Sequence, residues 1–304
     1  MFKKSWKHIG LMLVLALTLV LAACGEDDSA GDDSADESEG NLGNEDIELV
    51  YVEWDSEIAS TNVIAQVLEE KGYDVNIRGI DNAIMWEAVA NGDADGMVAA
   101  WLPGTHGDLF EEHKDNMVGL GPNLEGAKIG LVVPTYLEDV NSIADLADYT
   151  DAFGGEITGI EPGAGVVQSA EQSLEDYGLS DWTVATSSSG AMTTVLGQKY
   201  DNEEAVVVTG WTPHWKFASY DLKYLEDPEG TFGGAETIET FVREGFEADS
   251  PVAYEVLDNF FWEPADMETV MLEMADGADP EEAAANWIEN NREKVDAWLE
   301  TSAE

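Results

Sequence analysis

From Ile47 onward the chain alternates strand and helix signals twice over, and each round ends in the phrase strand-Trp-x-Pro. Such alternation restricts the fold to the α/β class. In the first round, Ile47–Val52 reads as a strand and Ser60–Lys71 as a helix stopped by Gly72. Tyr73–Arg78 is a strand, Asp81 caps a helix through Ala90 that Gly92 ends, and Gly96–Ala100 and Lys128–Val133 are further strands. The second round reads as strand Ile157–Ile160, helix Val166–Tyr177 ended by Gly178, strand Trp182–Ala185, helix Ala191–Tyr200 and strand Ala205–Thr209. Thr237–Arg243 is one more strand, and the tail from Val252 is helical. Two similar blocks predict two lobes of like architecture, and a cleft between domains is a favoured ligand site.

The strand ends carry the functional signal. In open α/β sheets the carboxyl ends of strands face the ligand crevice. Here three of them are followed by or end in tryptophan: Trp54, Trp101 in Ala100-Trp101-Leu102-Pro103, and Trp211 in Gly210-Trp211-Thr212-Pro213. A single tryptophan is ordinarily core filler, and Trp86, Trp182, Trp262, Trp287 and Trp298 fit that reading. Three indole faces aimed at one cleft instead suit a quaternary ammonium held by cation–π attraction, at ~1–2 kcal/mol per face when water is excluded. Sugar stacking would want a denser polar fringe. Beside this, Gly163-Ala164-Gly165-Val166 forms a tight turn before a helix, whose free N–H groups attract an anion such as a carboxylate. No Lys-Ser or Lys-Thr follows, so it is not a nucleotide P-loop. His106, just past the first Trp-x-Pro phrase, can add a donor. His113 lies seven residues further on without zinc spacing, so no metal is expected. No nucleophile–base set is visible either. Ser187, Ser188 and Ser189 read as a helix cap.

The N-terminus sets the location. Lys3, Lys4 and Lys7 precede an apolar run from Ile9 to Ala22, then Ala23 and Cys24, the one cysteine of the chain. A basic start, a short apolar stretch and small residues before a cut site describe a secretory signal peptide over residues 1–23. The run is shorter than the ~20 residues a spanning helix needs. Residues 24–46 are almost wholly acid, Ser, Gly and Ala and read as a flexible spacer. The remaining stretch, about 258 residues, suffices for one large domain or two lobes.

Sixty-four acidic against thirteen basic residues give a formal charge of −51, and removing residues 1–23 strips three lysines and no acids. That balance argues against nucleic acid as a partner, since nucleic-acid sites need clustered Lys and Arg. Strong self-repulsion opposes the compact state, and ~1 M salt shrinks the Debye length to roughly 3 Å. The acidity therefore reads as adaptation to a salty exterior. Disorder is the alternative, but 44% apolar residues and ten tryptophans speak for a folded body.

With those residues in view, the chain resembles the substrate-binding domains of osmoprotectant ABC importers that bind glycine betaine. The resemblance rests on Tyr51-Val52-Glu53-Trp54-Asp55-Ser56-Glu57, Ala100-Trp101-Leu102-Pro103-Gly104-Thr105-His106, Gly163-Ala164-Gly165-Val166 and Gly210-Trp211-Thr212-Pro213-His214-Trp215. The Ala23-Cys24 junction likewise resembles a bacterial lipobox, which implies a lipid on Cys24 anchoring the protein outside the cell membrane. The resemblance implies a two-lobed, type II-like periplasmic-binding-protein fold with the ligand cleft between lobes. Residues 47–135 would form the first part of lobe 1 and 136–235 lobe 2, with 236–304 returning to lobe 1 and adding C-terminal helices. It further implies that Trp54, Trp101 and Trp211 enclose a trimethylammonium group, while the N–H groups of Gly165 and Val166, with His106, hold a carboxylate. Where some relatives carry an aromatic residue, this chain has Ala164, and Trp54 is expected to supply that wall. His214 and Trp215 are expected to pack beside the cage. The implied partners are glycine betaine, an ABC permease and its ATPase subunit, with no cofactor and no catalysis. Proline betaine, carnitine or choline are alternative ligands. A cell-surface hydrolase and an acidic protein-docking lipoprotein are the rivals from other classes.

Overall fold

The computed structural model describes residues 42–302. The expected signal peptide, Cys24 and nearly all of the acidic spacer lie outside those residues.

Lobe 1 opens with β1 (Asp46–Tyr51), α1 (Asp55–Glu70), β2 (Asp74–Gly79), α2 (Asn82–Asn91), β3 (Gly96–Leu102) and α3 (Gly107–His113). The long β4 (Met117–Pro134) leads into α4 (Thr150–Phe153), β5 (Glu156–Thr158), α5 (Gly165–Asp176), β6 (Thr183–Ala185), α6 (Ser189–Asp201), β7 (Val208–Thr212), α7 (Lys216–Ser219) and β8 (Leu222–Tyr224). The chain returns through β9 (Glu236–Arg243) and closes with α8 (Phe246–Asp249), α9 (Pro251–Asn259), α10 (Pro264–Ala275), α11 (Pro280–Asn290) and α12 (Arg292–Trp298). The expected two-lobed α/β architecture is present.

The strand order is β2-β1-β3-β9-β4-β7-β5-β6, with β8 also pairing β4. β1 pairs in parallel with β2 and β3, and β5 with β6 and β7, whereas β9 is antiparallel to both β3 and β4. β4 serves both lobes. Its first part, Met117 to Ala127, pairs with β9, and its second, Lys128 to Pro134, pairs with β7 and β8. Within β4 the pairing thus passes from β9 to β7 and β8 between Ala127 and Lys128. Only the Lys128–Val133 part of β4 reads as a strand in the sequence, because Gly119, Gly121, Pro122 and Gly126 interrupt the rest. The ladder absorbs them as register shifts at 119/121, 122/124 and 125/127.

Two other boundaries move for physical reasons. α1 begins at Asp55 rather than near Ser60, with Asp55 and Glu57 in its first turn, where acids complement the helix dipole. β7 begins at Val208, later than the β-branched run at Ala205 suggests. Val206 and Val207 are buried all the same, so their branching reports burial more than ladder position. α2 follows the expectation closely, ending on Gly92 in the left-handed conformation (φ 75°). Trp86, Trp262, Trp287, Trp298 and Trp182 are all buried in the core. Trp262, Trp287 and Trp298 form one cluster under the C-terminal helices, with Trp287 and Trp298 stacked 5.7 Å apart.

Candidate functional site

The parallel strands of both halves end at one cavity. It is small and lined by Trp54, Trp101, Thr105, Ile129, Ile160, Ala164, Gly165, Val166 and Trp211. So small a space suits a compact solute rather than a drug-sized molecule. Five of the six predicted ligand residues line it. His106 does not: it lies buried behind Trp54, stacked 5.7 Å from that ring and edge-on to Trp86 at 5.8 Å.

Each indole is fixed differently. Trp54 occupies the N-cap position of α1, and its Nε1 donates to Glu161 in the loop after β5. Burial raises the Glu161 carboxyl above its ordinary range, opposed by that hydrogen bond. Trp101 lies next to the end of β3, and its Nε1 donates to Glu57 Oε1 at 2.7 Å. Trp211 lies in β7, with His214 edge-on at 4.6 Å and the Lys216 Nζ 4.2 Å from its ring centroid. Its own Nε1 has no partner among the described residues. Both Trp-x-Pro phrases contain a cis X-Pro bond, at Leu102-Pro103 and Thr212-Pro213.

The opposite wall is the start of α5. Gly165 and Val166 are its first two residues, so no carbonyl within the helix can accept their N–H groups. Ala164 at the N-cap has no side chain to do so either. Glycine is required at 165 by close approach: a Cβ there would lie 2.2 Å from the Thr105 carbonyl oxygen across the cleft. Thr105 is itself held by Glu236, whose carboxylate accepts from the Gly104 and Thr105 N–H groups at 2.8 and 2.7 Å. His106 Nδ1 accepts from the Trp101 N–H at 3.0 Å. The neutral ring therefore carries its proton on Nε2, a buried atom with no partner among the described residues. Burial pushes this imidazole down to about 3, so it stays neutral at physiological pH and can donate but not add charge.

The remaining predicted neighbours join the lobes. Asp55 on α1 accepts from Ser189 Oγ at 2.6 Å and from Trp215 Nε1 at 2.8 Å, both on lobe 2. His214 Nε2 stands 3.6 Å from Asp55, too far for a hydrogen bond. Ser188 is the N-cap of α6, as the serine run suggests, while Ser189 faces the other lobe. Trp215 thus does more than pack. Sequence reasoning missed Ile129 and Thr105 on the wall and the Asp55, Glu57 and Glu161 partners behind it. Ile160 was legible as the end of the strand predicted over 157–160. Among the described residues, no group of His, Cys, Asp and Glu could hold a metal ion. Nor is any described helix long and apolar enough to cross a membrane.

Comparison with known proteins fits this geometry. Residues 45–290 match the model of the substrate-binding domain of ABC-type glycine betaine transport systems. The glycine betaine/carnitine transport binding protein GbuC of Listeria monocytogenes is 51% identical over 155 residues, which are 50% of this chain and 52% of that protein. The chain thus matches about half the length of that curated relative. The crystal structure of lactococcal OpuAC, closed and complexed with glycine betaine, is 51% identical with a TM-score of 0.81. That match covers 84% of this chain and 100% of the other. The glycine betaine/L-proline-binding protein ProX of Borrelia burgdorferi is 35% identical with a TM-score of 0.81, covering 85% and 98%. The chain belongs to the family of substrate-binding domains of ABC-type glycine betaine transport systems.

Proposed function

We propose that this protein captures glycine betaine outside the cytoplasmic membrane and delivers it to an ABC permease driven by its ATPase subunit. One observation carries the reading: three tryptophans from two lobes wall a small apolar cavity whose far side is an uncapped helix N-terminus. Trp54, Trp101 and Trp211 take the trimethylammonium group, and the N–H groups of Gly165 and Val166 take the carboxylate. His106 Nε2, buried and without a partner among the described residues, is the added donor in this reading. Three faces at ~1–2 kcal/mol each, plus charge-assisted hydrogen bonds, fit micromolar affinity, which is about −8 kcal/mol. The protein binds its solute without turnover. Cys24, as the first residue after signal-peptide cleavage, carries the lipid anchor, and residues 24–46 space the folded part from the membrane.

The test is calorimetric titration in high salt with glycine betaine and with choline, which shares the cation but lacks the carboxylate. Micromolar betaine binding with weak choline binding is the expected result. Equal binding of both would remove the carboxylate subsite, and binding of neither by the folded protein would overturn the reading. Betaine recovered chemically unchanged after incubation supports binding without turnover. Mass spectrometry of the membrane-extracted protein checks the anchor; an unmodified Cys24 there would refute it.

A further inference from the structure

Glu57 is a carboxylate in a place that should not tolerate one. It lies in the first turn of α1 with no solvent exposure. Oε1 accepts from Trp101 Nε1 at 2.7 Å and from Ser56 Oγ at 3.2 Å, while Oε2 has no partner among the described residues. No ion pair among the described residues includes it. Buried charges are ordinarily paired, because an unpaired one forfeits its hydration without return. A residue needed only to hold the Trp101 N–H could be glutamine, which offers the same carbonyl acceptor.

We propose that Glu57 is a positioning residue that sets the cage's affinity for a quaternary cation, acting through Trp101 as the counter-charge that the bound trimethylammonium group completes. This rests on the function proposed above. The geometry supports it in two ways. The carboxylate accepts from the indole N–H, so it lies near the plane of Trp101 and polarises the ring that faces the cavity toward greater electron density. Because indole is rigid and one ring wide, the same carboxylate also stands within about two ring widths of a cation on that face. At such range, with Glu57 and Trp101 both buried, opposite charges still attract appreciably. Burial raises the carboxyl to about 7, and a neighbouring cation favours its ionised form.

The test compares wild type with E57Q, which keeps the acceptor for Trp101 and removes the charge. Both are titrated with glycine betaine and with its carbon isostere, in which a tert-butyl group replaces the trimethylammonium. Near-UV circular dichroism checks the fold. The proposal expects E57Q to lose about tenfold or more in betaine affinity, a change of about 1.4 kcal/mol, with isostere binding nearly unchanged. The betaine-to-isostere ratio therefore collapses. A residue that merely supports Trp101 would weaken both ligands together, or neither, and either result overturns the proposal. E57D retains the charge and keeps the experiment decisive even where E57Q does not fold. Its ratio is expected to stay within about threefold of wild type, and a collapsed ratio in E57D overturns the proposal. Wild type binding no betaine would instead overturn the underlying function, so the two failures are distinct.

Discussion

The same buried carboxylate makes a prediction about the ligand-free protein. Glu57 rises from about 4.5 to about 7 on folding, chiefly because burial disfavours its charged form, with the Trp101 and Ser56 hydrogen bonds opposing. A carboxyl raised in this way leaves the folded state intact below the unfolded value and costs stability as pH climbs. The cost grows between about 4.5 and 7 and is level above that, because both states are then ionised. At about 1.4 kcal/mol per pH unit, the full cost is roughly 3 kcal/mol. Glu69, Glu161 and Glu268 are raised too and act in the same direction, whereas His106, His214, Lys216 and Asp176 are lowered and act in the opposite one. Comparison with E57Q isolates the one group. Near pH 5 the folded Glu57 is protonated, and a neutral carboxyl and a neutral amide leave similar buried groups unpaired. Near pH 8 only wild type holds a buried charge. The stability of E57Q relative to wild type should therefore improve by roughly 2–3 kcal/mol between those two pH values. At ~2–4 °C per kcal/mol for a domain of this size, the difference in Tm between the two should widen by about 5–10 °C. Thermal unfolding of both ligand-free proteins in high salt, followed by far-UV circular dichroism, measures it. A Tm difference that stays constant from pH 5 to pH 8 refutes the argument, because Glu57 is then paired or hydrated in solution.

Three further outcomes follow from the cavity and the contacts across it. Trp211→Ala removes one wall and should weaken glycine betaine binding at least tenfold, about 1.4 kcal/mol; unchanged affinity by calorimetry would take Trp211 out of the cage. Gly165→Ala places a Cβ against the Thr105 carbonyl oxygen, where the gap is 2.2 Å. Affinity should drop by more than about tenfold while the unfolding of ligand-free protein shifts little, since that clash arises only where the lobes meet; wild-type affinity would refute it. Asp55→Ala deletes the acceptor for Ser189 Oγ and Trp215 Nε1. With Asp55 partly exposed the two bonds are worth less than buried ones, so about a tenfold loss is expected, carried by faster release in stopped-flow fluorescence. An unchanged release rate would remove Asp55 from lobe closure.

What was legible in the sequence and what was not divides along the range of the interaction. Trp54, Trp101 and Trp211 could be found because strand ends in an α/β sheet point at one crevice, so position along the chain already implied convergence. Gly165 and Val166 could be found because a helix start is a local event with local consequences. Glu57 could not. In the sequence it lies ahead of the helix expected from Ser60, and in the first turn where the structure puts it acids usually face water and complement the dipole. Its burial exists only because β3 brings Trp101, 44 residues away, against α1. Asp55 is the same case at longer range, with partners 134 and 160 residues distant on the other lobe. The first half of β4 was hidden for the opposite reason, since its glycines and Pro122 argue locally against a strand that β9 stabilises through bulges. The tryptophans line the cavity, and the carboxylates behind them hold the indoles and join the two lobes. Glu57 advertises itself only as a buried carboxylate with one oxygen unpartnered among the described residues. Where the proposed ligand carries a cationic group, such a missing partner is a reason to look to the ligand for it.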